Sequence, residues 1–178
     1  MKLKTNYFLN QMIELNVDSV VDYFKSAKYN YVIMMNGQPV HWIEEDGDAP
    51  IIYGDKEDYE NELKYNLDGY NEDGTLKDEF EVMTEWDFLM NYCLFAIEDF
   101  IKNYVLKNGE FDGINHIHYM NNPNEYKYID VLGVYANKDN LSFLVSEDND
   151  NKQYFLVLSD FNDDEILKII EDVFDGVN

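Results

Sequence analysis

The chain has 178 residues, of which 46% are hydrophobic and 16% aromatic, so it is long and apolar enough to fold around a real core. It carries 37 acidic residues against 13 basic ones, a net charge of −24, and every basic residue is a lysine. Direct binding to nucleic acid or to anionic membranes is therefore not expected, because both need a basic surface, and arginine clamps on phosphate are excluded. We expect a single domain over residues 1–178.

The expected setting is the reducing cytoplasm. The first residues do not form the apolar run of a signal peptide, and no stretch approaches the roughly 20 apolar residues of a membrane span. Cys93 is the single cysteine, so an intrachain disulfide is impossible.

The first elements predicted along the chain are helices and then a β-hairpin. Apolar residues recur at helical spacing within residues 5–28. Residues 29–42 are rich in β-forming side chains and are divided by Asn36 and Gly37, the strongest short signal for a hairpin turn with two positive φ angles. Pro39 predicts that the returning strand lies at a sheet edge.

The next stretch, residues 44–81, is called here the acidic segment. It holds fifteen acidic residues and three lysines, a net charge of −12, which is half of the total. Tyr59, Leu63 and Leu67 recur every four residues and predict a short helix over residues 56–67, while three Asp-Gly pairs predict turns.

The rest of the chain predicts a central buried helix, an antiparallel β-meander and a C-terminal helix. The central helix is expected over residues 84–107, with Thr84 as its N-cap and Asp87 three residues later. The C-terminal helix is expected over residues 163–174, capped by Asn162 and Glu165. The predicted strands are residues 114–120, 126–135, 141–146 and 154–158. This order, with little alternation of strand and helix, predicts the α+β class.

Few residues suggest chemistry. His116 and His118 would share one face of a strand and are able to supply two zinc ligands, with His41 or an acid as the third; the alternative is two polar residues on an exposed face. Cys93 lies in an apolar pattern and is expected to be an inert thiol in a helix. With no other catalytic motif, we predict no catalytic residue, no cofactor and no resident metal.

Residues 71–75 resemble the middle of an EF-hand loop. The two end positions of such a loop would fall on Gly69 and Phe80, where oxygen ligands are needed. The sequence therefore does not predict a calcium sensor.

The charge has two interpretations. It is either a solvated surface that keeps the protein soluble, or an array of carboxylates that imitates nucleic-acid phosphates and occupies the basic groove of a partner protein. On the second interpretation, acids in residues 147–150 and 160–165 assist the acidic segment. The predicted partner-binding residues are Glu44, Glu45, Asp46, Asp48, Asp55, Glu57, Asp58, Glu60, Glu62, Asp68, Glu72, Asp73, Asp78 and Glu79.

In composition alone, with no motif matched, such a compact acidic chain resembles phage-encoded anti-restriction and anti-CRISPR decoys. The expected partner is a basic protein that binds or cleaves nucleic acid. A bacterial immunity protein or antitoxin that neutralises a basic toxin is the second hypothesis, and a metal-dependent enzyme using His116 and His118 is the third. Trp42, Tyr29, Tyr31 and Tyr53 lie near the acidic segment and would anchor a partner where they are exposed.

Overall fold

The computed structural model describes residues 17–42, 49–109, 111–112, 116–122, 125–147 and 152–175. These residues form two compact units, each combining helices with antiparallel strands, and the predicted α+β class is confirmed. The first unit holds the described residues from 22 to 93, and the second holds residues 17–21 with those from 94 onwards. A single domain over residues 1–178 stays a prediction. In the described ranges, no helix is both long and apolar enough to cross a lipid bilayer.

The first unit is built on a three-stranded antiparallel sheet in the order β2-β1-β5, next to a separate two-stranded ladder of β3 and β4. The part of helix α1 from Asp22 onwards belongs to this unit and precedes the sheet, and two further helices lie on either side of β5 in the sequence. The bounds are α1 Val17–Ser26, β1 Tyr31–Met35, β2 Gln38–Pro39, β3 His41–Trp42, β4 Ala49–Pro50, α2 Lys56–Tyr65, β5 Phe80–Thr84 and α3 Glu85–Tyr92.

The predicted hairpin is present. Met35 pairs with Gln38 across a two-residue turn in which Asn36 has φ 52° and Gly37 has φ 74°, as a type I′ turn requires. Pro39 lies in the edge strand β2, where no ladder bond needs its missing N–H, as predicted. His41 Nδ1 lies 3.1 Å from the Pro39 carbonyl oxygen, within hydrogen-bonding distance.

Helix α2 packs on this sheet through one face and ends in a tight reversal. Leu63 is fully buried in a cluster with Ile33, Tyr53 and Phe80. Gly69 donates its N–H to the Leu63 carbonyl at 2.7 Å, and a Cβ at position 69 would lie 2.7 Å from Leu63 Cδ2. A side chain at position 69 would therefore force the buried Leu63 to shift, so the close approach favours glycine where the chain leaves α2.

The predicted central helix is two helices. Thr84 caps the first one as expected, with its Oγ1 accepting from the Asp87 N–H at 3.0 Å. Helix α3 then ends at Tyr92, Cys93 adopts φ −119° and ψ 4°, and α4 runs over Leu94–Asn108. Cys93 is thus a C-cap rather than a residue inside a helix, and the prediction of one continuous helix was wrong.

The second unit confirms the β-meander. The strands are β6 Phe111–Asp112, β7 His116–Asn122, β8 Glu125–Ala136, β9 Leu141–Glu147 and β10 Gln153–Leu156. They form an antiparallel sheet in the order β10-β9-β8-β6, with β7 also paired to β8. Helix α5, Asp163–Asp175, follows a short 3-10 helix, and the capping box of Asn162 and Glu165 is present, with bonds of 2.8 and 3.0 Å.

The core of the second unit is apolar and tightly enclosed. Helix α4 lies against β8 and β9, while α5 contributes a stripe of buried residues. The side chains that are fully or almost fully buried include Ile97, Ile101, Val105, Val134, Phe143, Val145, Ile169, Ile170 and Val173.

Candidate protein-interaction surface

The described part of the acidic segment, residues 49–81, presents a strongly acidic surface. It holds eleven acidic residues and three lysines, a net charge of −8. Ten of the eleven acidic side chains are exposed, and Glu62 is half-buried. Glu81, on β5, belongs to this set although the sequence did not single it out. Four predicted residues, Glu44, Glu45, Asp46 and Asp48, lie outside the described residues.

Part of this charge stabilises α2. Asp55 is the N-cap, and its Oδ1 accepts a hydrogen bond from the Asp58 N–H at 2.9 Å. Glu57 and Asp58 lie in the first turn, where negative charge interacts favourably with the helix dipole. Glu62 Oε2 accepts from the Asn66 side chain at 2.6 Å near the helix end.

The face of α2 opposite the buried Leu63 is exposed to solvent. Positions 57, 58, 61 and 65 fall on one stripe of a helix with 3.6 residues per turn, away from the buried Leu63. This stripe carries Glu57, Asp58, Asn61 and Tyr65, and the Tyr65 side chain is 69% exposed. Lys64 Nζ lies 5.0 Å from the centroid of the Tyr65 ring, so the ring already attracts a cation.

The reversal after α2 fixes further carboxylates. Asp68, at φ 51°, pairs with Lys77 across 2.7 Å. Asp73 Oδ1 accepts from the Thr75 N–H at 2.9 Å and from the Thr75 hydroxyl at 2.6 Å, and these bonds lower the pKa of Asp73. The EF-hand resemblance fails in three dimensions as well, because Phe80 is buried in the core.

In residues 49–81, the described part of the acidic segment, most carboxylates have no lysine partner. Lys56 Nζ lies 3.3 Å from Glu60 Oε1. The other two lysines are Lys77, which pairs with Asp68, and Lys64, which lies over the Tyr65 ring. Within the ranges that the structure describes, the acidic side chains that form no ion pair include Glu57, Glu72, Asp78, Glu79 and Glu81. The surface therefore keeps most of its negative charge available to a partner.

The aromatic residues near this surface differ in exposure. Tyr29 is 75% exposed, Tyr31 is half-buried with its ring centroid 4.9 Å from that of Tyr59, and Tyr53 is buried. The Trp42 side chain lies outside the described part. The best-exposed aromatic on α2 itself, Tyr65, was missed in the sequence, although the period that buries Leu63 turns position 65 outwards.

The acids predicted to assist lie in the second unit and have mixed roles. Asp160 Oδ2 accepts from the Val157 N–H at 2.9 Å, and Glu165 is only 4% exposed because it completes the cap of α5. Asp163 and Asp164 are exposed. Glu165 is therefore not a surface carboxylate, and residues 148–150 lie outside the described ranges.

The two histidines fall where a strand was expected. His116 pairs with Asp130 and His118 with Tyr128 across β7 and β8, two positions apart in the register. Their side chains lie outside the described part of the structure. Among the described residues, no group of three or more His, Cys, Asp or Glu is arranged to hold a metal ion.

Cys93 and Glu85 are ionisable residues that do not belong to the acidic surface; Cys93 is half-buried and Glu85 is buried. Burial raises the pKa of the Cys93 thiol from 9.0 to about 12, and the nearby Glu85 carboxylate adds to the shift, so the thiolate needed for nucleophilic attack is disfavoured. Glu85 is 2% exposed and accepts from the Tyr23 hydroxyl at 2.7 Å and from Asn30 Nδ2 at 2.8 Å. These contacts tie the start of α3 to the end of α1 and the loop after it.

Comparisons with protein-family models, with curated proteins and with solved structures find no match to this chain.

Proposed function

We propose that this protein is an inhibitor that binds a basic partner and occupies the groove in which that partner holds nucleic acid. The observation that carries the proposal is the exposed acidic surface of residues 49–81, whose carboxylates outnumber its lysines by eleven to three. Helix α2 and the tight turns after it hold two of these carboxylates, those of Asp55 and Asp73, through hydrogen bonds from backbone N–H groups.

The chemistry of the surface fits such a partner. An ionised carboxylate only accepts hydrogen bonds, as a phosphate oxygen does, so lysine and arginine side chains that bind phosphates also bind carboxylates. A dense negative field steers a basic partner and raises the association rate. Tyr65 adds an exposed aromatic ring among these acids, and tyrosine is enriched among the residues that dominate interface energetics.

The alternative, an immunity protein or antitoxin, would use the same surface against a basic toxin. The two proposals differ in what the partner does when it is free. A partner that only binds DNA or RNA indicates a decoy, whereas a partner that degrades nucleic acid and harms its own cell indicates an immunity protein.

The first test is affinity capture from a bacterial lysate at low salt, followed by salt-gradient elution and mass spectrometry. The decoy proposal expects a basic nucleic-acid-binding protein that salt releases and that added DNA or RNA displaces. Capture of no basic protein, or of one that nucleic acid does not displace, contradicts it.

A pair of charge-matched variants then locates the surface. Glu72→Lys with Glu79→Lys changes the acidic surface, while Asp22→Lys with Asp139→Lys makes the same change in net charge at exposed positions elsewhere. We expect the first pair to weaken binding about tenfold or more, equal to about 1.4 kcal/mol, and the second pair to have a much smaller effect. Equal losses would mean that net charge alone, and not this surface, drives binding.

A further inference from the structure

The chain contains two Asn-Gly dipeptides, and the structure holds them differently. They are Asn36 with Gly37 at the hairpin turn and Asn108 with Gly109 at the end of α4. In such a pair the glycine nitrogen is able to attack the asparagine carboxamide, since no Cβ shields it. All four residues are exposed, and a Cβ added to either glycine would meet nothing within 4 Å. Access therefore does not distinguish the two sites.

Hydrogen bonding does distinguish them. At the end of α4, Asn108 Nδ2 donates to the Tyr104 carbonyl at 2.9 Å, and the Gly109 N–H donates to the Val105 carbonyl at 2.8 Å. Both the electrophilic carboxamide and the attacking nitrogen are thus held by the last turn of the helix. Attack at this site requires both bonds to break.

At the hairpin turn neither reacting group is held. Within the described part of the chain, the Asn36 carboxamide and the Gly37 N–H make no hydrogen bond. The turn is anchored through the Asn36 N–H, which donates to the Glu79 carbonyl at 2.7 Å. The returning strand β2 is two residues long and lies at the sheet edge, so local opening that lets Gly37 approach the carboxamide disrupts few bonds.

We propose that Asn36 is a site of spontaneous deamidation and that Asn108 is protected from it. The Gly37 nitrogen loses its proton to solvent and bonds to Asn36 Cγ, the Cγ–Nδ2 bond breaks, and ammonia leaves with that proton. Water then opens the cyclic imide. Breakage of the bond to Cγ gives aspartate, and breakage of the bond to the backbone carbonyl carbon gives isoaspartate. One water enters and one ammonia leaves, with no oxidation or reduction.

The modification changes the hairpin and its surroundings, whatever the function of the protein. Each product carries a new carboxylate at position 36. The backbone N–H of this position bonds to the Glu79 carbonyl, so the new charge adds to the acidic surface nearby. Isoaspartate also places an extra methylene in the backbone, which a two-residue type I′ turn does not accommodate.

The test follows both asparagines in the full-length chain by peptide mapping and mass spectrometry during incubation at mildly alkaline pH. One sample is kept native and a second is unfolded in urea, where the two dipeptides lose their different surroundings. We expect Asn36 to deamidate several-fold faster than Asn108 in the native protein, and the two rates to converge in urea. The variant Asn36→Asp provides the chromatographic standard for the aspartate product.

Two results would overturn the proposal. One is a native protein in which Asn108 reacts as fast as Asn36 or faster. The other is a ratio of the two rates that is the same in urea as in the native state, because the preference would then come from local sequence and not from the fold.

Discussion

Glu85 makes contacts that could not be predicted from its neighbours in the sequence. It follows the N-cap Thr84, where an acid is expected to face solvent, yet it is buried and accepts hydrogen bonds from Tyr23 and Asn30. Its own N–H donates to the Asn30 carbonyl at 2.8 Å. A carboxylate placed in this way joins segments that lie 62 and 55 residues away in the chain.

Removal of the Glu85 carboxylate should therefore lower the stability of the fold. We expect Glu85→Ala to lower the free energy of unfolding by about 2 kcal/mol or more, since two donors lose their acceptor in a buried site. Chemical denaturation measures the change, and Glu81→Ala, at an exposed position, should stay within about 0.5 kcal/mol. A loss at Glu85 no larger than the one at Glu81 would show that solvent replaces these bonds.

Cys93 and Tyr53 predict a loss of stability at high pH. Burial is the main cause that raises the pKa of each group to about 12, from 9.0 for the thiol and from 10.0 for the phenol, with smaller contributions from Glu85 and Glu62. The folded protein keeps these protons at a pH where the unfolded chain releases them. The stabilisation is therefore complete below pH 9 and declines as the pH rises towards 12.

Urea denaturation across this pH range checks the prediction. Cys93→Ala and Tyr53→Phe should each make the decline shallower, since each removes one group that releases its proton on unfolding. An unchanged slope in both variants would mean that other groups, such as the lysines, cause the alkaline unfolding.

Among the elements, α2 depends on a carboxylate that also belongs to the acidic surface. Asp55→Ala removes the N-cap, and we expect it to cost about 1 kcal/mol of stability, with a small loss of helical signal in circular dichroism. Asp78→Ala removes an equal charge from an exposed turn and should cost less than about 0.5 kcal/mol. Equal effects would indicate that charge repulsion, rather than capping, determines the stability of this region.

The elements that could be predicted from the sequence are those with a local signal. The hairpin follows from Asn36 and Gly37, whose φ angles only a few residues adopt readily, and the meander follows from β-forming runs divided by polar turns. The N-cap at Thr84 and the capping box at Asn162 also depend on residues only three positions apart.

The features that were missed depend on contacts distant in sequence or on the absence of a signal. No Gly or Pro marks the break at Cys93, so helix propensity gives no reason to divide residues 84–107. The burial of Glu85 requires Tyr23 and Asn30, which local patterns do not bring together. At the candidate surface the charge was predictable, but the division of acids into caps, ion pairs and unpaired carboxylates was not.

For the molecule as a whole, the net charge of −24 predicts that salt stabilises the fold. Crowded carboxylates repel one another in the compact state, and the screening length falls from about 30 Å at 0.01 M salt to about 3 Å at 1 M. We expect the thermal unfolding midpoint to rise over this range of sodium chloride, measured by calorimetry. A midpoint that falls with salt would mean that the lysine ion pairs contribute more than the repulsion.

The edge strand β2 also affects how the protein behaves at high concentration. An exposed strand normally offers donors and acceptors on which another chain grows into fibrils. Pro39 has no N–H to offer, so this position of the edge presents no backbone donor to an incoming strand. The same short strand that lets the turn open is thus a poor template for a strand of another chain. At high protein concentration we therefore expect no strand of another copy to add to the sheet at β2.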